Sequence, residues 1–246
     1  MDAPAKATRS STLGAARTLA AGVAAGALAG LLVGGIGGRI AMLVLRLTSD
    51  PSLHGRLTDD GFTIGIVSTG TFFLLVATAV LGALGGVAYL LVRPWLPERL
   101  RPWLFGALSG AFGSARIVRP GGIDFTLLDP RPLAIAMFVI IPAAGGLLTS
   151  VLTERFLREG SAFRSSRAAL AVLVLLVPIA LGSMGPLGLI ALAVTVGVAI
   201  LLSSRSRLDL ARVWRSTPVT WVGRGVLVAL GVASAAEFAN DATAIL

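Results

Sequence analysis

Residues 18–47, TLAAGVAAGALAGLLVGGIGGRIAMLVLRL, decide the fold class. No charge interrupts Thr18 to Gly38, and the only charges in the stretch are Arg39 and Arg46. A helix of about 20 apolar residues crosses the hydrocarbon core of a bilayer, so this run is long enough to span. Glycine recurs inside it at Gly22, Gly26, Gly30, Gly34 and Gly38, one every four residues. In lipid, helices gain little from burying apolar side chains against each other. They gain from close backbone approach, which small residues permit. The five glycines therefore predict a groove for a neighbouring helix. A period of four overshoots the 3.6-residue turn by about 40° per step, so the groove winds around the helix.

The pattern repeats outward from this stretch. Further apolar runs cover residues 62–92, 103–118, 133–153, 168–184, 187–202 and 219–240. Gly106, Gly110 and Ser114 carry the same spacing in the third run, and Thr78, Gly82 and Gly86 carry it in the second. Of the 246 residues, 55% are hydrophobic and 13% charged; soluble domains carry about 25% charged residues. The expected fold is an all-α polytopic transmembrane bundle of about seven helices. It forms one unit over residues 18–240, with a basic tail at 1–17 and a short tail at 241–246. The shorter runs span where the bilayer is thin or pinched. Between the fifth and sixth runs, Gly182-Ser183-Met184-Gly185-Pro186 predicts a tight turn and a helical hairpin. Reading 168–202 as one kinked helix would put the basic loops at 154–167 and 203–217 on opposite sides. Pro142 and Pro178 should kink their helices. Ala27-Leu28-Ala29 resembles a signal-peptide cleavage site, but apolar residues run well past it, so the first helix is expected to stay.

Arginine orients the bundle. Lys and Arg near segment ends stay in the cytoplasm. Lys6, Arg9 and Arg17 precede the first run, Arg93, Arg99 and Arg101 follow the second, and Arg155, Arg158, Arg164 and Arg167 follow the fourth. Arg205, Arg207, Arg212 and Arg215 follow the sixth. The alternate loops hold Arg46, Arg56, Arg116, Arg119 and Arg131, and with them Asp50, Asp59, Asp60, Asp124 and Asp129. The expected orientation is N-terminus in and C-terminus out. The net charge of +9 is spread around membrane segments and not gathered on a soluble basic domain, which argues against nucleic acid as a partner. Arg93-Pro94-Trp95 to Arg101-Pro102-Trp103 suits the headgroup level, and Ser206–Arg215 has the spacing of a short amphipathic interfacial helix. The basic connector 154–167 should touch anionic lipid.

The residues best placed for chemistry lie toward the outer ends. Arg116 falls about 20 Å into the third helix, a depth at which arginine needs a partner or a wet cavity. Arg119 follows one turn later, and Arg39 ends the glycine ladder. An ionic cluster is expected in which Arg39, Arg116 and Arg119 face Asp59, Asp60, Asp124 and Asp129. It reads either as a clamp tying outer loops together or as an outward pocket for an anionic group such as a lipid phosphate. Arg224 and Glu237 read as interfacial anchors at the two ends of the last helix.

Several enzyme classes lack their residues. There is no cysteine, so no thiolate nucleophile or cysteine metal site exists. The one lysine, Lys6, is in the tail and cannot hold a Schiff base in the bundle, and the one histidine, His54, cannot supply paired haem ligands. No Walker loop or His-Glu-x-x-His motif is present. No metal, cofactor or catalytic residue is expected. Arginine in place of lysine, with abundant Ala, Gly, Leu and Val, is the composition of a GC-rich bacterial genome.

Gly38-Arg39, Ser49-Asp50-Pro51, Asp60-Gly61-Phe62, Arg93-Pro94-Trp95, Asp124-Phe125-Thr126-Leu127-Leu128 and Glu154-Arg155 carry one resemblance. Across about residues 38–155 the chain resembles a group of uncharacterised polytopic membrane proteins of actinobacteria. The resemblance implies a cell-membrane location and brings no activity. Three functions are then open. One is a structural or accessory membrane protein whose partners are lipids, other membrane helices or a second copy. The next is a small transporter or channel with its site at the outer arginines. The last is a lipid-modifying enzyme acting through His54 and the aspartates. The helix interiors lack the Asp/Glu relays of coupled pumps. The first two hairpins share a glycine ladder, outer arginines and an acidic loop, as a parallel repeat would.

Overall fold

Every regular element among the described residues is helical. The computed structural model describes residues 3–50, 69–122, 125, 129–161, 193, 195, 197–198 and 210–246, with backbone alone at 3–13 and 69. The first rod, α1, joins Ala3–Ala29, a π-helical segment Gly30–Gly37, and Gly38–Thr48. Helix α2 is Thr69–Val92, and two 3-10 turns, Arg93–Trp95 and Glu98–Leu100, lead into α3, Arg101–Ile117. Helix α4 is Arg131–Leu157, the short α5 is Leu210–Trp214, and α6 is Thr217–Ile245.

Four helical stretches are long and apolar enough to cross a membrane: Gly14–Thr48, Gly70–Trp95, Arg131–Leu157 and Thr217–Ile245. Helix α3 has 17 residues, the short end of what spans. Outward-facing side chains are apolar, among them Phe72, Trp103 and Val228. In hydrocarbon that exposure costs nothing.

Both ends of the chain are more helical than expected. Helix α1 starts at Ala3, inside the predicted basic tail, because Pro4 suits a first turn and no breaker follows before Gly14. Helix α6 runs through the predicted tail at 241–246 as far as Ile245. The predicted runs 168–184 and 187–202, the Gly182–Pro186 turn and Pro178 lie outside the described residues, save 193, 195, 197 and 198.

Glycine sets the packing. Helices α1 and α2 run antiparallel with their backbones in contact: Gly26 lies on the Gly82 carbonyl, Gly30 on the Thr78 carbonyl, and Gly86 on the Gly22 carbonyl. A Cβ at Gly22 would sit 2.6 Å from Leu90 Cδ1. Gly34 and Gly35 both face Thr78, but a Cβ at Gly38 would meet nothing within 4 Å among the described residues, so the ladder stops one step short of its predicted end. The π segment gives the reason. Its i→i+5 bonds widen the turn, so a period of four no longer overshoots. The groove there winds back the other way, two neighbouring glycines share the α2 face, and Gly38 meets no neighbour among the described residues.

Helices α3 and α4 repeat the arrangement. A Cβ at Gly106 would lie 3.1 Å from the Ala143 carbonyl, and one at Gly110 2.9 Å from Ala143 Cβ. The Pro142 ring packs on Gly113, and Ser109 fills the space beside Gly146. Buried hydroxyls on these faces return to their own helices: Thr149 donates to Gly145 O at 2.8 Å and Thr153 to Thr149 O at 2.7 Å. Both hydroxyls are thereby satisfied within their own helix.

Helix α4 also packs against α1, and α6 packs on α3, where Gly231 meets Leu108. Gly223 sits under Trp95 near the start of α6, whereas Glu237 reaches Arg116 near the end of α3. Helix α6 therefore runs parallel to α3. The ends sort cleanly: Gly22, Arg93, Arg101, Glu154 and Gly223 lie at one end of the bundle, and Thr48, Arg116, Asp129 and Ile245 at the other. The chain between Ser161 and Leu210 leaves and re-enters the described bundle at the same end.

Candidate functional site

At the Asp129 end the structure describes four of the predicted ionic residues, Arg39, Arg116, Arg119 and Asp129. Arg39 donates from Nη2 to Thr71 Oγ1 at 2.6 Å, so it ties α1 to the start of α2. Arg116 meets Glu237 on α6, Nη2 to Oε2 at 3.3 Å, and lies 5.6 Å from the Phe112 ring centroid. The sequence placed Arg116 against an acid of the outer loops. Two parallel helices of matched direction bring the end of α3 to α6 instead. Arg119 is exposed just past α3. Asp129 contributes its backbone: its carbonyl accepts from Thr48 Oγ1 at 2.9 Å and Ser49 Oγ at 3.1 Å, and its N–H donates back to Ser49 Oγ at 3.0 Å. Arg131 donates to the Ile245 carbonyl at 3.0 Å. Phe125 is buried in one apolar cluster with Leu45, Val118 and Ile135, and meets Phe138 edge-on at 5.2 Å. Asp59, Asp60, Asp124 and His54 lie outside the described residues.

Among the described residues the densest polar constellation stands at the opposite end. Tyr89, in the last turn of α2, and Arg93, which opens the 3-10 turn after it, are four apart and so share one face. Glu154 comes from the last turns of α4, and Arg101 opens α3. Glu154 Oε1 accepts from Tyr89 Oη at 2.7 Å and from Arg93 Nε at 2.7 Å, and Oε2 accepts from Arg93 Nη2 at 2.9 Å. Arg101 Nη1 lies 3.5 Å from Oε1 and its Nη2 3.4 Å from Glu98. Tyr89 is fully buried, with its ring edge-on to Phe105 at 5.0 Å. A forked guanidinium on a carboxylate is the strongest ordinary ion pair. Here it fastens the ends of three helices at one point, and two arginines balance two glutamates.

A second set of contacts adjoins it. Trp95 and Trp214 stack at 4.6 Å, Trp214 Nε1 donates to the Leu91 carbonyl at 2.9 Å, and Arg224 Nε donates to the Trp95 carbonyl at 2.8 Å. Arg224 also covers the Trp221 ring at 5.3 Å. The two tryptophan segments expected at the headgroup level thus knit α2, α5 and α6 together.

Sequence reasoning read Arg93 and Arg101 as topology signals and headgroup-level residues, and used Glu154 only for a resemblance. The signal was there: Glu154 is an acid ending an apolar helix beside a basic loop, and Tyr89 is the single tyrosine, one turn before Arg93. Among the described residues no three His, Asp or Glu side chains come together as a metal site would need. Comparison with protein-family models, with curated proteins and with solved structures gives no match.

Proposed function

We propose that this chain is a non-enzymatic structural or accessory protein of a bacterial plasma membrane. It forms seven membrane helices, N-terminus in and C-terminus out, packs through glycine-rich faces, and has lipids and other membrane helices, or a second copy, as partners. The observation that carries the reading is the pair of glycine seams, α1 on α2 and α3 on α4, in backbone contact. Such seams lock helices at fixed distance. The Glu154 clamp ties α2, α3 and α4 at their ends, which suits a rigid scaffold better than rocking halves. The seven-helix count draws on the shared end of Leu157 and Thr217. A segment that returns to its own end crosses twice or not at all, and 168–202 holds apolar length for two crossings.

Reconstitution decides between this reading and a transporter. Proteoliposomes are assayed for uptake of phosphate, chloride and small organic anions. The expected flux equals that of protein-free vesicles. A saturable flux lost in Arg116→Gln or Arg119→Gln would replace the accessory reading by an outward anion site.

A further inference from the structure

Where α5 bends into α6, two hollows meet at the Arg93 end of the bundle. One is a cavity of about 40 Å³ whose walls include Leu90, Leu91, Arg93, Trp214 and Arg215. The other is an open hollow of about 460 Å³ lined by Ala211, Arg212, Arg215, Ser216 and Thr217. Ala211 and Arg215 border both. The open hollow is in the size range of small-ligand sites, about 300–1,000 Å³. The 40 Å³ cavity exceeds the roughly 10–15 Å³ that one water needs.

The charges around them are not equal. Glu154 answers Arg93. Arg215 has no carboxylate partner among the described residues. It follows Trp214, whose indole is pinned to the Leu91 carbonyl, so the backbone that carries Arg215 is fixed against α2. Ser216 precedes α6 and makes no capping bond with its side chain, which leaves a hydroxyl at the rim. Leu90 and Leu91, at the end of α2, give the small cavity its apolar wall. Cationic floor, hydroxyl rim, and tryptophan and apolar walls together describe the profile of a phospholipid at the membrane interface.

We propose that this junction is a binding site for one anionic phospholipid. Its phosphate is held by Arg215 beside the Ser216 hydroxyl, and its upper acyl chain lies along Leu90 and Leu91. The site rests on the membrane reading above and not on the accessory role, so flux measurements leave it untouched.

Full-length protein in detergent is titrated with phosphatidylglycerol and with phosphatidylcholine, and bound lipid is counted by native mass spectrometry. Phosphatidylglycerol should bind preferentially with a stoichiometry of one. An arginine near an anionic surface contributes about 1 kcal/mol, so Arg215→Gln should weaken that affinity about fivefold. Ala211→Phe puts a ring at the border that the two hollows share and keeps every charge, and it should abolish the preference too. Arg119→Gln, at the far end of the bundle, should leave it intact. Unchanged affinity in folded Arg215→Gln, or a preference that survives Ala211→Phe, would overturn the site; the latter outcome means diffuse surface charge. Millimolar inorganic phosphate should not displace the lipid. If phosphate alone competes it away, the hollow is a free-anion site and the lipid assignment fails.

Discussion

Glu154 receives one tyrosine hydroxyl and two guanidinium groups at a point where three helices end. The side chains of Arg93 and Glu154 are 32% and 27% exposed. That places the pair between a buried bridge, whose breakage costs about 3–5 kcal/mol, and a surface one worth about 0–1 kcal/mol. Glu154→Gln keeps the volume and removes the charge, and should cost about 2 kcal/mol. Adding Arg93→Gln should recover part of it, because the orphaned cation disappears. Arg116 and Glu237 are 59% and 45% exposed, so Arg116→Gln should cost less than about 1 kcal/mol. Thermal unfolding in detergent, followed by tryptophan fluorescence, gives both values. Equal losses would mean that the Glu154 cluster is no stronger than an exposed pair. The partners sit 61 and 121 residues apart. Composition and spacing tell which arginines are deep or interfacial. They do not tell which acid each meets, because that depends on the order and direction of helices in the bundle.

At the scale of elements, the glycine ladder was legible because its cause is local. A period of four puts small residues on one winding face, and only another backbone fits there. What could not be read was the π segment over Gly30–Gly37, since a widened turn arises from contact with the neighbouring helix as much as from the residues in it. A substitution series along α1 separates the two effects. A Cβ at Gly26 or Gly30 would press on the carbonyl of Gly82 or Thr78, which are backbone atoms and cannot step aside. Gly26→Ala and Gly30→Ala should each lower stability by about 1–3 kcal/mol, and Gly30→Leu by more. Gly38→Ala meets no neighbour and should be neutral or gain up to about 1 kcal/mol from helix propensity. Melting temperatures in one detergent rank the series. A Gly38→Ala loss as large as that of Gly26→Ala would place the seam elsewhere.

For the whole molecule, two arguments about sidedness are independent. Charge says which side is inside: fourteen basic residues in the tail and alternate loops, against five in the others. Packing says which points share a side, whatever that side is. Arg93, Glu154 and the start of α6 meet at one end, while Arg131 reaches the Ile245 carbonyl at the other. The absence of cysteine makes the test clean, since any cysteine introduced is the sole thiol. Single variants Arg158→Cys, Thr217→Cys, Arg119→Cys and Leu246→Cys are labelled in intact cells with a membrane-impermeant maleimide. From packing, positions 158 and 217 should behave alike, and positions 119 and 246 should behave alike and opposite to the first two. From charge, 119 and 246 should be the labelled pair. If 158 and 217 differ, an odd number of crossings separates them and the parallel placement of α6 beside α3 is wrong. If the pairs hold but 158 and 217 take the label, the bundle stands and the inward assignment of its arginine-rich end is reversed.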